Sequence, residues 1–221
     1  MSGDAVDTAR REIVRVGASL FARGYVHAAA GNISARVGDG HLITPTDAAL
    51  GFLEPDRLAL VDADGTQRAG DRASKTLTLH RRIYAADPTA RCVIHTHSTH
   101  LVGLTLTGVW RTDDVLPPLT PYYVMKVGHV PLVPYHRPGD PRVADLVAAR
   151  IADRAASGTP IRAVLLDRLG PVVWGPDPAA ALAVLEELEE TARLWLLTDR
   201  RPEPLPADAL AELRSAFGAA W

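Results

Sequence analysis

Two histidines one residue apart, His95 and His97, point most directly to chemistry in this chain. A neutral imidazole near physiological pH offers a nitrogen that binds a metal or accepts a proton. Alternate residues of an extended strand face one side, so the pair in His95-Thr96-His97-Ser98-Thr99-His100 would present both rings to one point at a strand's end. That arrangement is common among metal ligands, and zinc needs a third donor beside it. On spacing alone a second reading stands beside this one: two imidazoles that cap a strand and bond nearby carbonyls. His100 opens the next helix and is expected to face elsewhere. Cys92, within the apolar run Cys92-Val93-Ile94, reads as a small buried hydrophobe rather than a nucleophile.

The elements that must position these residues follow from periodicity. Residues 5–23 form an amphipathic helix with Ile13, Val16, Leu20 and Phe21 on one face and Gly24 as its stop. Asn32–Val37 and His41–Thr44 read as strands joined by the turn Gly38-Asp39-Gly40, followed by a strand over Leu58–Val61 and a tight turn at Asp64-Gly65. A helix is expected from Ser74, as its N-cap, to Pro88. Ala90–His95 is a buried strand, Ser98–Leu106 a helix, Leu116–Pro121 a loop, Val130–Tyr135 a strand and Arg142–Ala155 a helix. Ile161–Leu166 pairs with Pro171–Trp174, and helices over Pro178–Asp199 and Ala207–Phe217 complete the chain. Strands and helices mix without strict alternation, which favours one sheet covered by helices.

The 221 residues suit one domain spanning 1–221, because two would have thin cores. With Lys plus Arg at 24 and Asp plus Glu at 26, no basic excess marks a nucleic-acid partner. One cysteine excludes an internal disulfide. No signal-peptide pattern and no membrane-length apolar run occurs, so a reducing cytoplasm is the expectation. Neither Gly-x-Gly-x-x-Gly nor a Walker loop is present, which leaves nucleotide cofactors without support.

Gly31-Asn32-Ile33-Ser34, Ile43-Thr44-Pro45-Thr46, the Ser74–His80 segment and His95-Thr96-His97, in that order, resemble the class II aldolase/adducin family over nearly the whole chain. Within it, His97–His100, Leu116–Met125, Pro134–Asp140 and the glutamate-rich helix Leu185–Leu197 are most similar to the 3-oxo-tetronate 4-phosphate decarboxylase branch. The resemblance implies an α/β fold, a single three-layer domain whose central, mainly antiparallel sheet is flanked by helices. It implies a homotetramer with sites between adjacent subunits and a divalent metal, zinc first, on His95 and His97. A cation on adjacent oxygens stabilises the charge left by C–C cleavage. Asn32, Thr46, Asp47 and Ser74 match ligand-binding positions, with Thr46 and Asp47 in the phosphate loop. Lys75 matches a position able to bind an anionic group. Tyr122 or Tyr123 matches the region of a proton-donating tyrosine from the neighbouring subunit, and His129 and His136 stand where the branch more often has Arg and Tyr.

Three positions depart from the pattern. The acid/base glutamate matches Thr76, whose hydroxyl does not titrate near neutral pH. The third metal histidine matches Leu169, which has no donor atom, so zinc is expected to bind weakly or not at all. The glycine after Thr-Pro-Thr matches Asp47, whose carboxylate repels a phosphate. Asp167, two residues before Leu169, is a replacement ligand that would give a two-histidine, one-carboxylate site; a surface ion pair with Arg168 or Arg162 is its plainer role. The expectation is a repurposed enzyme acting on a small polar carbonyl or hydroxy compound between subunits, with Thr76, Lys75, Tyr122, Tyr123 and His136 as candidate catalytic residues. The alternatives are a non-catalytic, adducin-like binding protein and an active metal-dependent decarboxylase or aldolase.

Overall fold

The structure is a computed structural model that describes residues 3–221. In chain order the elements are α1 (Gly3–Ala22), β1 (Asn32–Val37), β2 (Gly40–Ile43), β3 (Ala59–Val61), β4 (Gln67–Ala69), α2 (Leu77–Ala86), β5 (Cys92–His95), α3 (Thr99–Thr107), β6 (Leu132–Val133), α4 (Arg142–Ala156), β7 (Ala163–Leu166), β8 (Gly170–Gly175), α5 (Pro178–Leu197) and α6 (Ala207–Phe217). The strands form an eight-stranded sheet ordered β4-β3-β2-β1-β5-β8-β7-β6, antiparallel except where β6 runs parallel to β7.

Strand alternation sorts the core into two layers. Cys92 and Ile94 of β5 pack with Ile13 and Leu20 of α1, Leu101 of α3 and Leu185 of α5 on one face. Val93 packs with Ile83 of α2 and Val147 of α4 on the other. The result is three layers: α1, α3 and α5, then the sheet, then α2 and α4. His95, two residues after Val93, therefore belongs to the α2/α4 face. So does Ser34 of β1, which bonds to α2, whereas its neighbours Ile33 and Ala35 join the opposite cluster.

Four local expectations change. The helix after Ser74 starts at Leu77, because the Leu77 N–H bonds the Ser74 carbonyl in a preceding turn and the Ser74 hydroxyl bonds Thr76 Oγ1 at 2.9 Å instead of capping the helix. The strand expected over Val130–Tyr135 shortens to Leu132–Val133, and only these residues pair with β7. The exposed strand β4, all polar or small, gave no apolar signal. A π-helical turn over Tyr123–Val127 follows the Pro-rich loop. By contrast α6 and the Gly38-Asp39 hairpin turn, which pairs Val37 with Gly40, lie where the residue types put them.

Candidate active site

A cavity of about 380 Å³ opens on the α2/α4 face at the end of β5. β1 contributes Asn32, the loop after β2 contributes Thr46 and Asp47, and the turn before α2 contributes Ser74, Lys75 and Thr76. His95 ends β5 and His97 lies in the turn after it, Leu169 comes from the β7–β8 turn, and Arg137 and Asp140 from the loop before α4. The residues expected to bind ligand or metal, Asn32, Thr46, Asp47, Ser74, His95 and His97, thus meet in one place, with Thr76 and Leu169 beside them.

Backbone geometry sets this arrangement. Gly170 has φ +102°, and a Cβ there would lie 2.3 Å from the Thr96 carbonyl oxygen. Only glycine lets the β7–β8 turn close against the chain between the two histidines. Asp47 has φ +57°, the left-handed region that glycine favours and that aspartate tolerates better than most residues. It carries a carboxylate to the rim where the resemblance implies bare backbone.

The two imidazole rings stand 5.0 Å apart between centroids at 63°. His95 donates its Nδ1 hydrogen to the Pro171 carbonyl at 2.8 Å, so Nε2 is the unprotonated nitrogen. Burial, together with the neighbouring His97, pushes the His95 pKa down to about 4. Burial first, then His27, lowers that of His97. Both rings are neutral at pH 7, and their free nitrogens can accept a hydrogen bond or bind a cation.

They do not make a three-donor metal site. Among the described residues no three His, Cys, Asp or Glu side chains come together. Leu169 supplies hydrocarbon to the cavity, and Asp167 is not among its walls, which corrects the expectation of a rebuilt carboxylate ligand. Two imidazoles fall short of the three protein ligands of a catalytic zinc, so the residues present do not fit a tightly held ion.

Three expected site residues lie elsewhere. Tyr123 is fully buried in the core beside Trp221, their ring centroids 5.7 Å apart, so it is unavailable to a ligand in this cavity. Tyr122, next to it, is 63% exposed on the outer surface. His136 is half-buried and bonds the Pro134 carbonyl, turned back on its own loop. His129 pairs with Asp114 at 2.8 Å. His100, as expected, faces away: it bonds Glu189, whose carboxylate also takes the backbone N–H groups of His100 and Leu101 at the start of α3.

Sequence reasoning missed Arg137 and Asp140 as cavity residues. Asp140 is held by Arg142 through several bonds. Among the described residues neither Lys75 nor Arg137 forms an ion pair, and both remain available to an anion. Among the described residues no helix is long and apolar enough to cross a membrane.

The fold as a whole matches a known architecture. The crystal structure of YgbL from Escherichia coli superposes with a TM-score of 0.85 at 42% identity, covering 95% of this chain and 99% of that one. Residues 11–196 match the family described as Class II Aldolase and Adducin N-terminal domain, and the chain belongs to that family. It is 59% identical over 217 residues to a 3-oxo-tetronate 4-phosphate decarboxylase of Cupriavidus necator, covering 96% of this chain and 97% of the relative. A second protein of that name, from Pectobacterium atrosepticum, is 45% identical, covering 93% and 92%.

Proposed function

We propose that this chain is a diverged class II aldolase-like enzyme that binds a small polar carbonyl or hydroxy compound in the β5 cavity, its ancestral cleavage or decarboxylation activity lost or changed. The observation that carries this reading is the composition of one cavity. Asn32, Ser74, Lys75, His95 and His97 remain in it, while Thr76 and Leu169 occupy the positions that the family resemblance assigns to a proton-moving glutamate and a third metal histidine.

The remaining residues divide the work by chemistry. Lys75 and Arg137 attract an anionic end of the ligand, and Asn32 and Ser74 bond its oxygens. The Thr76 and Ser74 hydroxyls, 2.9 Å apart, bind polar groups without titrating. His97, the less buried of the two imidazoles, is the proton acceptor at neutral pH. Asp47 at the rim disfavours a phosphate and favours a ligand with hydroxyl donors there. The functional unit is a homotetramer, in which the exposed Tyr122 of one subunit reaches toward the cavity of the next.

A second reading, retained decarboxylation, is favoured by the 59% identity to the Cupriavidus necator protein. Turnover of 3-oxo-tetronate 4-phosphate, followed by CO2 release, separates the two. The native chain is expected to be slower than that relative by about 10²–10⁴, the usual worth of a positioned acid/base. The double variant Thr76→Glu with Leu169→His is expected to regain part of the rate. Native turnover equal to the relative's would establish the second reading.

A further inference from the structure

Behind the cavity wall runs a chain of buried polar groups that the proposed chemistry does not use. The Tyr84 hydroxyl lies 2.7 Å from Ser34 Oγ, Ser34 Oγ lies 2.7 Å from His80 Nδ1, and His80 Nε2 lies 2.7 Å from Asn32 Oδ1. Tyr84, Ser34 and His80 are at most 2% exposed. Only Asn32, at the end of the chain, reaches the cavity.

The direction of these bonds follows from the far end. A buried hydroxyl needs an acceptor for its hydrogen. For Tyr84 the choices are Ser34 Oγ at 2.7 Å and the Arg91 carbonyl at 3.5 Å, and the second is at the limit of a useful bond. Tyr84 therefore donates to Ser34. Ser34 has one hydrogen, and it goes to His80 Nδ1, which accepts. A neutral imidazole carries its single hydrogen on the other nitrogen, so His80 Nε2 donates to Asn32 Oδ1. With its oxygen engaged behind the wall, the Asn32 amide directs its NH₂ group toward the cavity.

We propose that Tyr84, Ser34 and His80 form a directional relay of hydrogen bonds that positions Asn32 as a fixed donor in the cavity wall. His80 is a positioning residue, acting through Asn32 and not on the ligand. Reversing the relay would turn the Asn32 carbonyl into the cavity and change what the wall recognises. The inference rests on the cavity being the site, but not on any particular reaction there.

The test is nitrogen-15 NMR of the histidine rings in the full-length protein at pH 7, with His80 assigned by its loss in His80→Gln. The expected native spectrum shows His80 as the Nε2–H tautomer. In Tyr84→Phe the hydroxyl that sets the direction is gone, and a substantial fraction of His80 is expected to convert to the Nδ1–H tautomer. The native spectrum tests the direction by itself, should Tyr84→Phe fold poorly. A native Nδ1–H tautomer would overturn the relay direction. An Nε2–H tautomer unchanged in a folded Tyr84→Phe protein would overturn the claim that the Tyr84 hydroxyl sets it.

Discussion

The bond from His95 Nδ1 to the Pro171 carbonyl ties the end of β5 to the start of β8 and fixes which nitrogen of the ring is free. It depends on Gly170 next door, whose missing Cβ lets the two chains touch. Gly170→Ala is expected to cost about 2 kcal/mol or more through its positive φ and its collision with Thr96. Urea denaturation measures the loss, and a change in the His95 ring nitrogen signals shows whether the Pro171 bond goes with it.

Asp47 tests the charge of the rim. Asp47→Gly relieves the left-handed backbone at φ +57° and removes a carboxylate, so fold stability is expected to change by no more than about 1 kcal/mol. Inorganic phosphate, titrated by calorimetry, is expected to bind the variant at least several-fold more tightly than the native protein. Asp47→Val keeps the φ and loses the tolerance, and is expected to lower stability by about 1–2 kcal/mol.

Acid sensitivity follows from the buried imidazoles. Burial, helped by His95 and His41, pushes His80 down to about 3 from an ordinary 6.5. Burial, helped by Arg36 and Arg81, pushes His41 to about 4. The unfolded chain takes up these protons near pH 6.5 and the folded one does not, so stability is full above pH 6.5 and falls as the pH drops toward the folded values. At pH 5 His80 alone accounts for about 2 kcal/mol. Denaturation midpoints between pH 7 and pH 4.5 are expected to fall steadily, with a shallower slope in a folded His80→Gln variant.

The paired histidines and most of the elements were legible because local patterns encode them: an apolar run in β5, a helical apolar face in α1, a glycine-rich turn at Gly38-Asp39-Gly40. The Ser74 cap was misplaced because Ser74 and Thr76 bond each other, a choice that propensity does not reveal. Tyr123 looked like a site residue in a Pro-rich loop, but the π turn rotates it into the core against Trp221, nearly a hundred positions away by number. The polar chain behind Asn32 joins residues 46–50 positions apart, and no local spacing signals it. Arg137 and Asp140 entered the cavity through a loop whose path depends on α4 packing against α2.

Zinc content per subunit, by elemental mass spectrometry of the purified protein, tests the central claim most directly, namely that Leu169 leaves the His95/His97 pair short of a metal site. Native protein dialysed against metal-free buffer is expected to hold far less than one zinc, close to the His95→Ala/His97→Ala control. Leu169→His is expected to retain zinc at least about tenfold more strongly, since it restores a third imidazole. Near-stoichiometric zinc in the native protein that disappears in the control would contradict the claim and show that the cavity completes its metal site by other means.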